Sequence, residues 1–336
     1  MVRLAGEPGS PLRAAETPLD AGVTRLATST YSQVAVSWRG SAPRVSIRTD
    51  PDQPWLELPP LADGPGRATA EGRAAKSGTD LMWTGPETGI DVRVRGSGFS
   101  DLELVLIDPG RASGDSNPTA PTLRSAEAEP ESAPQPRLYT RADWGANNDW
   151  RNGEPVYMRR LKQIHVHHTA TGNSYSKADV PGIIRGMYRY HTKTLGWFDI
   201  GYNFLVDRFG RSWVGRSGGP KRLVRGAHTL GFNQVSVGIA MIGNLENRKP
   251  WGRAVKKLRR LAAWKLDKYD RKAVGKVWVR STGSDKYREG KMVHLPAIDG
   301  HRDTNDTACP GQRLYDRLPG IRRHTQARMD AFSPPE

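Results

Sequence analysis

Four histidines and a single cysteine are the residues whose types and spacing most readily do chemistry here. His165, His167 and His168 end a short apolar run that begins at Gln163. If that run is a strand, alternation puts His165 and His167 on one face and His168 on the other. Far downstream, His301 and Cys309 lie in Gly300-His301-Arg302-Asp303-Thr304-Asn305-Asp306-Thr307-Ala308-Cys309-Pro310-Gly311, a loop-like segment. Two imidazoles and a thiolate around one ion leave a fourth tetrahedral position for water, the pattern of a catalytic rather than a structural zinc site. Zinc there lowers the pKa of bound water to about 7 and polarises a neighbouring carbonyl. An isolated cysteine is more often a small buried residue, and spacing by itself leaves both readings open. Cys309 is the only cysteine, so no internal disulfide is available.

The elements that must position these groups follow from periodicity. Gln163 to His168 reads as a strand. Asp179 caps a helix with Pro181 in its first turn, and Ile183, Ile184, Met187, Tyr188 and His191 repeat at helical spacing. Tyr202 to Val206 and Val235 to Ile242 are apolar enough to be central strands covered on both faces. Val255, Leu258, Ala262, Leu266 and Tyr269 form one stripe on a further helix. Lys256, Lys257, Arg259, Arg260, Lys265 and Lys268 fall off that stripe and read as a solvated face. A last helix starts near Gln312 or Arg313 and is interrupted around Pro319, and residues 274–296 read as a hairpin-bearing insertion beside the cleft. The sum is an α/β domain over residues 138–332 with a mixed central sheet.

The N-terminal part, residues 1–137, has neither His nor Cys. Residues 1–21 read as disordered, and 22–112 as a smaller all-β, sandwich-like domain, a candidate wall-binding or spacer module. In it Val34, Val36 and Trp38 alternate with Ala35 and Ser37, and the same period recurs in Ile90, Val92 and Val94 and in Leu102, Leu104 and Leu106. Residues 113–137, rich in Pro, Ala, Ser and Glu, read as an extended linker. Across 336 residues the formal net charge is +16, which favours polyanionic partners without choosing among them. No apolar run is long enough to span a membrane. Met1-Val2-Arg3-Leu4-Ala5-Gly6 lacks the apolar core of a signal peptide.

Together the motifs of residues 138–330 resemble the peptidoglycan recognition protein and zinc-dependent N-acetylmuramoyl-L-alanine amidase (amidase type 2) family. They are Thr140-Arg141-Ala142-Asp143-Trp144-Gly145-Ala146, Val166-His167-His168-Thr169-Ala170, and Gly196-Trp197-Phe198-Asp199-Ile200-Gly201-Tyr202-Asn203-Phe204. Gly226-Ala227-His228 with Asn233, Val237-Gly238-Ile239 with Ile242-Gly243-Asn244, Gly300-His301-Arg302-Asp303 and Thr307-Ala308-Cys309-Pro310-Gly311 follow in order.

The resemblance implies a zinc ion held by His167, His301 and Cys309, and hydrolysis of the amide between N-acetylmuramic acid and L-alanine in peptidoglycan. It makes Tyr202 the residue that orients the attacking water and stabilises the tetrahedral intermediate, although a tyrosine there also suits a sheet core. Thr307 offers the oxyanion a hydrogen bond where phage relatives carry Lys, or else it caps a turn. His228 and Asn233 match residues that contact the muropeptide, and Trp197 is either core or a ring lining the cleft. His165 reads as a neighbour of the metal site rather than a fourth ligand. Gly215-Arg216 stands where many recognition proteins have Gly-Trp, so no preference for the third stem residue transfers. The expected partners are peptidoglycan and anionic wall polymers, and the expected location is extracellular, at the cell wall, with a leader missing from this sequence. A non-catalytic wall-binding module is the competing reading, disfavoured by the presence of Cys309. A nucleic-acid binder lacks any phosphate-loop, helix-turn-helix or aromatic-plus-basic strand signature.

Overall fold

The structure, a computed structural model, describes residues 1–116 and 132–333. Its first part is an antiparallel sheet of eight strands. These are β1 (Ala5–Gly6), β2 (Arg13–Pro18), β3 (Gly22–Gly40), β4 (Arg44–Arg48), β5 (Leu56–Leu58), β6 (Ser77–Gly78), β7 (Met82–Arg95) and β8 (Phe99–Asp108). They run in the order β1-β2-β8-β3-β7-β4-β5, with β6 paired to β3. A short helix, α1 (Ala70–Ala74), lies in the long connection from β5 to β6. The alternation works as expected on one face, where Val34, Val36, Trp38, Val92, Leu104 and Leu106 form a closed core.

Residues 1–21 depart from the expectation of disorder. Strand β2 pairs along β8 from Arg13↔Asp108 to Pro18↔Glu103, and Leu12, Ala14 and Leu19 are buried. The physical reason is that the edge of β8 offers a full row of backbone partners, so pairing needs few large side chains. Of the expected linker, residues 117–131 lie outside the described residues. Its flanks pack rather than extend: Asp115 is buried against Arg185, and Ala133 joins the C-terminal core.

The second part has a five-stranded mixed sheet. Strands β9 (Gln163–His168), β10 (Phe204–Val206), β11 (Ser212–Val214), β12 (Ser236–Met241) and β15 (Ile298–Gly300) lie in the order β11-β10-β12-β9-β15. All neighbours are parallel except β10 with β11. Helices α2 (Val180–Arg189), α3 (Gly252–Lys268), α4 (Gln312–Tyr315) and α5 (Leu318–Asp330) flank it, and β13 (Lys276–Arg280) and β14 (Met292–Pro296) form the hairpin. The helical break falls at residues 316 and 317. Pro319 sits in the first turn of α5, where a missing N–H costs nothing.

On one face of this sheet, Ile164, Val166, Val237 and Ile239 pack with Leu258, Leu261 and Ala262 of α3. Lys265 corrects the reading of α3. It is fully buried, not solvated, and donates to the carbonyls of Pro220 and Arg222, each at 3.0 Å. Burial pushes its pKa down to about 7.

The other face shares one core with the N-terminal sheet. Ala35, Val105 and Ile107 pack in the same cluster as Ile183, Ile184 and Met187 of α2. Close approach is enforced at Gly172, where a Cβ would stand 2.3 Å from the carbonyl oxygen of Trp83. The Arg185 guanidinium, fully buried, grips both oxygens of Asp115 at 3.0 and 2.6 Å. Among the described residues no helix is long and apolar enough to cross a membrane.

Candidate metal centre and cleft

The three expected donors meet at the carboxyl ends of the parallel strands, where open α/β sheets place their ligands. His167 is the penultimate residue of β9. Gly300 ends β15 in register with Val166, so His301, which opens a 3₁₀ turn, emerges beside His167. Cys309 returns to them because its loop is tied back: Arg302 N–H donates to Cys309 O at 2.9 Å and Gly311 N–H to Ala308 O at 2.8 Å. Asp285 of the hairpin insertion braces the same loop, accepting from Asn305 Nδ2 and Asp306 N–H, both at 2.8 Å.

One donor atom from each of His167, His301 and Cys309 lies within 4.8 Å of the others, and all three residues are buried. His167 Nδ1 is 3.6 Å from Cys309 Sγ. Its other ring nitrogen is held by His228 Nδ1 at 3.1 Å and Thr229 Oγ1 at 3.3 Å, contacts that fix the ring's orientation. Both ring nitrogens of His301 are buried without a hydrogen-bond partner. Burial drives the His301 pKa down to about 3 and pushes the Cys309 thiol well up. A thiolate in such a place needs a cation beside it, and the donor set of two neutral imidazoles and one thiol suits zinc. The residues therefore fit the metal.

Around this cluster the other expected residues divide. The Tyr202 hydroxyl points at the centre, and its ring centroid is 5.5 Å from that of His167. Thr307 lines the cavity beside Cys309, and its hydroxyl accepts from Cys309 N–H at 3.2 Å. Trp197 stacks on His191 at 4.4 Å between ring centroids and also lines the cleft. Asn233 Oδ1 accepts from the N–H groups of His228 and Thr229, and its amide nitrogen, facing the cleft, donates to Gly64 O at 2.8 Å. His228 is fully buried, and its Nδ1 holds the His167 ring from behind. His165 is also set apart, with Nδ1 2.6 Å from Asp299 Oδ1. His168 faces the other way and accepts from Leu245 N–H at 3.2 Å.

One residue at the centre was not foreseen. Asp63, from the connection between β5 and β6, reaches the cluster with its side chain 5 % exposed. Its Oδ1 lies 3.3 Å from His167 Nδ1 and 3.2 Å from His301 Nδ1. Its Oδ2 accepts the hydroxyl of Tyr202. Burial raises its pKa to about 6, opposed by His301 and Tyr202. The stretch Pro59-Pro60-Leu61-Ala62-Asp63-Gly64-Pro65-Gly66 has the composition of an ordinary turn, so nothing local marks Asp63 as functional.

Residues 157–312 match the family model described as N-acetylmuramoyl-L-alanine amidase. Peptidoglycan-recognition protein LE of Drosophila melanogaster is 33 % identical over 181 residues, 54 % of this chain and 45 % of its own length. The human N-acetylmuramoyl-L-alanine amidase is 32 % identical over 189 residues, 54 % of this chain and 28 % of its own length. The chain thus spans less than half the length of either relative. A crystal structure of peptidoglycan recognition protein LE in complex with tracheal cytotoxin, a monomeric diaminopimelic acid-type peptidoglycan, is 30 % identical. It aligns over 55 % of this chain and 92 % of its own, with a TM-score of 0.43. Through residues 157–312 the chain belongs to the peptidoglycan recognition protein and N-acetylmuramoyl-L-alanine amidase (amidase type 2) family.

Proposed function

We propose that the protein is a zinc-dependent N-acetylmuramoyl-L-alanine amidase that releases stem peptides from peptidoglycan outside the cell. The observation that carries this reading is the convergence of His167, His301 and Cys309, all buried, at the carboxyl ends of β9 and β15. A module that only binds wall fragments has no need of three buried metal donors. Zinc held by these residues would activate water for attack on the amide carbonyl and take up part of the developing charge.

The remaining steps fall to the chain's own groups. Tyr202 Oη–H, once clear of Asp63, is placed to donate to the carbonyl oxygen as it becomes an oxyanion. Thr307 adds a neutral hydrogen bond on the same side. His228 and Thr229 hold the far nitrogen of His167, so its donor atom stays aimed at the centre. Asn233 Nδ2 and the Trp197 ring offer a hydrogen bond and an apolar wall to the muropeptide. The net charge of +16 suits retention on anionic wall polymers.

Metal analysis and hydrolysis test the reading together. Purified protein should carry one zinc per chain, and Cys309→Ala should lose it. A chelator should abolish release of L-alanine-initiated peptides, and added zinc should restore it. Full zinc occupancy in Cys309→Ala, or hydrolysis that survives chelation, contradicts the assignment.

A further inference from the structure

The segment joining β5 to β6, residues 59–76, leaves its own sheet and lies across the cleft of the C-terminal part. It is bound there at successive points. Asp63 sits among His167, His301 and Tyr202. Gly64 O accepts from Asn233 Nδ2 at 2.8 Å. Glu71, on α1, is held by Arg216 Nη2 at 2.8 and 2.7 Å and accepts Phe198 N–H at 2.9 Å. Lys76 N–H donates to Leu195 O at 3.0 Å. The Gly78 that follows lets β6 approach the C-terminal part, since a Cβ there would lie 2.1 Å from the hydroxyl oxygen of Tyr190.

We propose that Asp63 supplies the fourth ligand of the metal in place of water, and that residues 59–76 thereby hold the cleft closed. The inference rests on the zinc centre proposed above. Zinc with bonds of about 2.0–2.1 Å to nitrogen and oxygen and about 2.3 Å to sulfur has tetrahedral edges of roughly 3.3–3.6 Å. Asp63 Oδ1 stands 3.3 Å from one imidazole donor and 3.2 Å from the other, and Cys309 Sγ stands 3.6 Å from His167 Nδ1. These three separations match edges of such a tetrahedron, two of them running to its fourth corner. Asp63 Oδ1 has no hydrogen-bond partner, a costly state for a buried carboxylate oxygen unless a cation meets it.

Space agrees with closure. The cavity left beside Cys309, His301 and Thr307 is about 220 Å³, and residues 59–63 line it. Pockets for small ligands run to roughly 300–1,000 Å³, and a muropeptide needs a scissile carbonyl at the metal. A larger groove of about 740 Å³ adjoins it, but none of the three donors lines that groove. Substrate therefore reaches the centre only after Asp63 and its neighbours withdraw. Asp63 and Gly64 O occupy the fourth metal position and the Asn233 amide that a substrate would use, so the segment acts as an intramolecular competitor.

The test uses the full chain, loaded with zinc or with cobalt as a spectroscopic reporter, as wild type, Asp63→Ala and Glu71→Gln. Acetohydroxamate serves as the probe of an open metal position. Cobalt-loaded wild type should leave its visible spectrum unchanged on adding the probe, whereas both variants should respond. Zinc affinity, measured against a competing chelator, should fall at least about tenfold in Asp63→Ala and stay near wild type in Glu71→Gln. Zinc-saturated variants should hydrolyse muropeptide at least about tenfold faster than wild type. A wild-type spectrum that responds as readily as the Asp63→Ala spectrum overturns the proposal, as does unchanged zinc affinity in Asp63→Ala. Slower hydrolysis in Asp63→Ala also overturns it, by making Asp63 a catalytic group. If the cobalt spectra behave as expected but no variant hydrolyses muropeptide, the ligand assignment stands and the amidase reading falls.

Discussion

The latch between Glu71 and Arg216 sets how firmly residues 59–76 stay on the cleft, and its strength can be worked from burial. The two side chains are 1 % and 5 % exposed, and both carboxylate oxygens receive the guanidinium. Glu71→Gln keeps the shape and one accepting oxygen but removes the charge, leaving Arg216 buried without its counter-ion. Removing one partner of a buried pair costs about 3–5 kcal/mol. The retained amide contacts put this change near the lower end, about 3 kcal/mol. That is roughly a hundredfold rise in the open population, since about 1.4 kcal/mol is tenfold. Hydrogen exchange of peptides covering 59–76 reads this directly, because local opening governs exchange. Exchange there should accelerate by about 10², while peptides from β9 and β12 keep their protection. Unchanged exchange in 59–76 would refute the latch, and acceleration everywhere would mean that the substitution damages the whole fold.

Three further expectations concern chemistry and stability. In the Glu71→Gln background, Tyr202→Phe should lower kcat by about 10²-fold with zinc content and KM nearly unchanged, and Thr307→Val should cost less; activity retained in Tyr202→Phe would leave the ring with a packing role only. Asp115→Ala should destabilise the protein by about 3–5 kcal/mol in denaturant unfolding, because it strands Arg185 fully buried; a loss under about 1 kcal/mol would show that the pair is dispensable. Lys265 has a folded pKa of about 7, below its unfolded value of 10.5. The unfolded chain therefore binds the extra proton between those values, and its contribution to stability improves as pH rises through that window, by at most about 1.4 kcal/mol per pH unit. Lys265→Met should remove that part of the slope, and parallel stability curves for the two proteins from pH 7 to 10 would contradict the burial argument.

Much of the C-terminal part was legible because its signals are local. Alternation placed β9 and put His165 and His167 on one face, and the stripe from Val255 to Tyr269 located α3. The donors were legible because each sits in a short motif tied to a strand end. What escaped depends on partners distant in sequence. Lys265 belongs by composition to a charged face, and only the carbonyls of Pro220 and Arg222 make its burial tolerable. Ala35 and Ile107 alternate correctly, yet periodicity cannot say that their face meets α2 rather than water. His228 matched a cleft residue by motif, but its depth behind His167 is a tertiary fact. Asp63 is the extreme case, since a Pro- and Gly-rich turn acquires chemical meaning only when the N-terminal sheet docks and carries it to the donors.

Under the proposed function, the C-terminal part cuts the bond between N-acetylmuramic acid and L-alanine. Mass spectrometry of purified peptidoglycan, digested by zinc-loaded wild type and by Glu71→Gln, tests it most directly. Free stem peptides beginning with L-alanine, glycan strands left uncut, and greater release by the variant are expected. New reducing sugar ends without free alanine amino termini, or no cleavage by either protein, would contradict it.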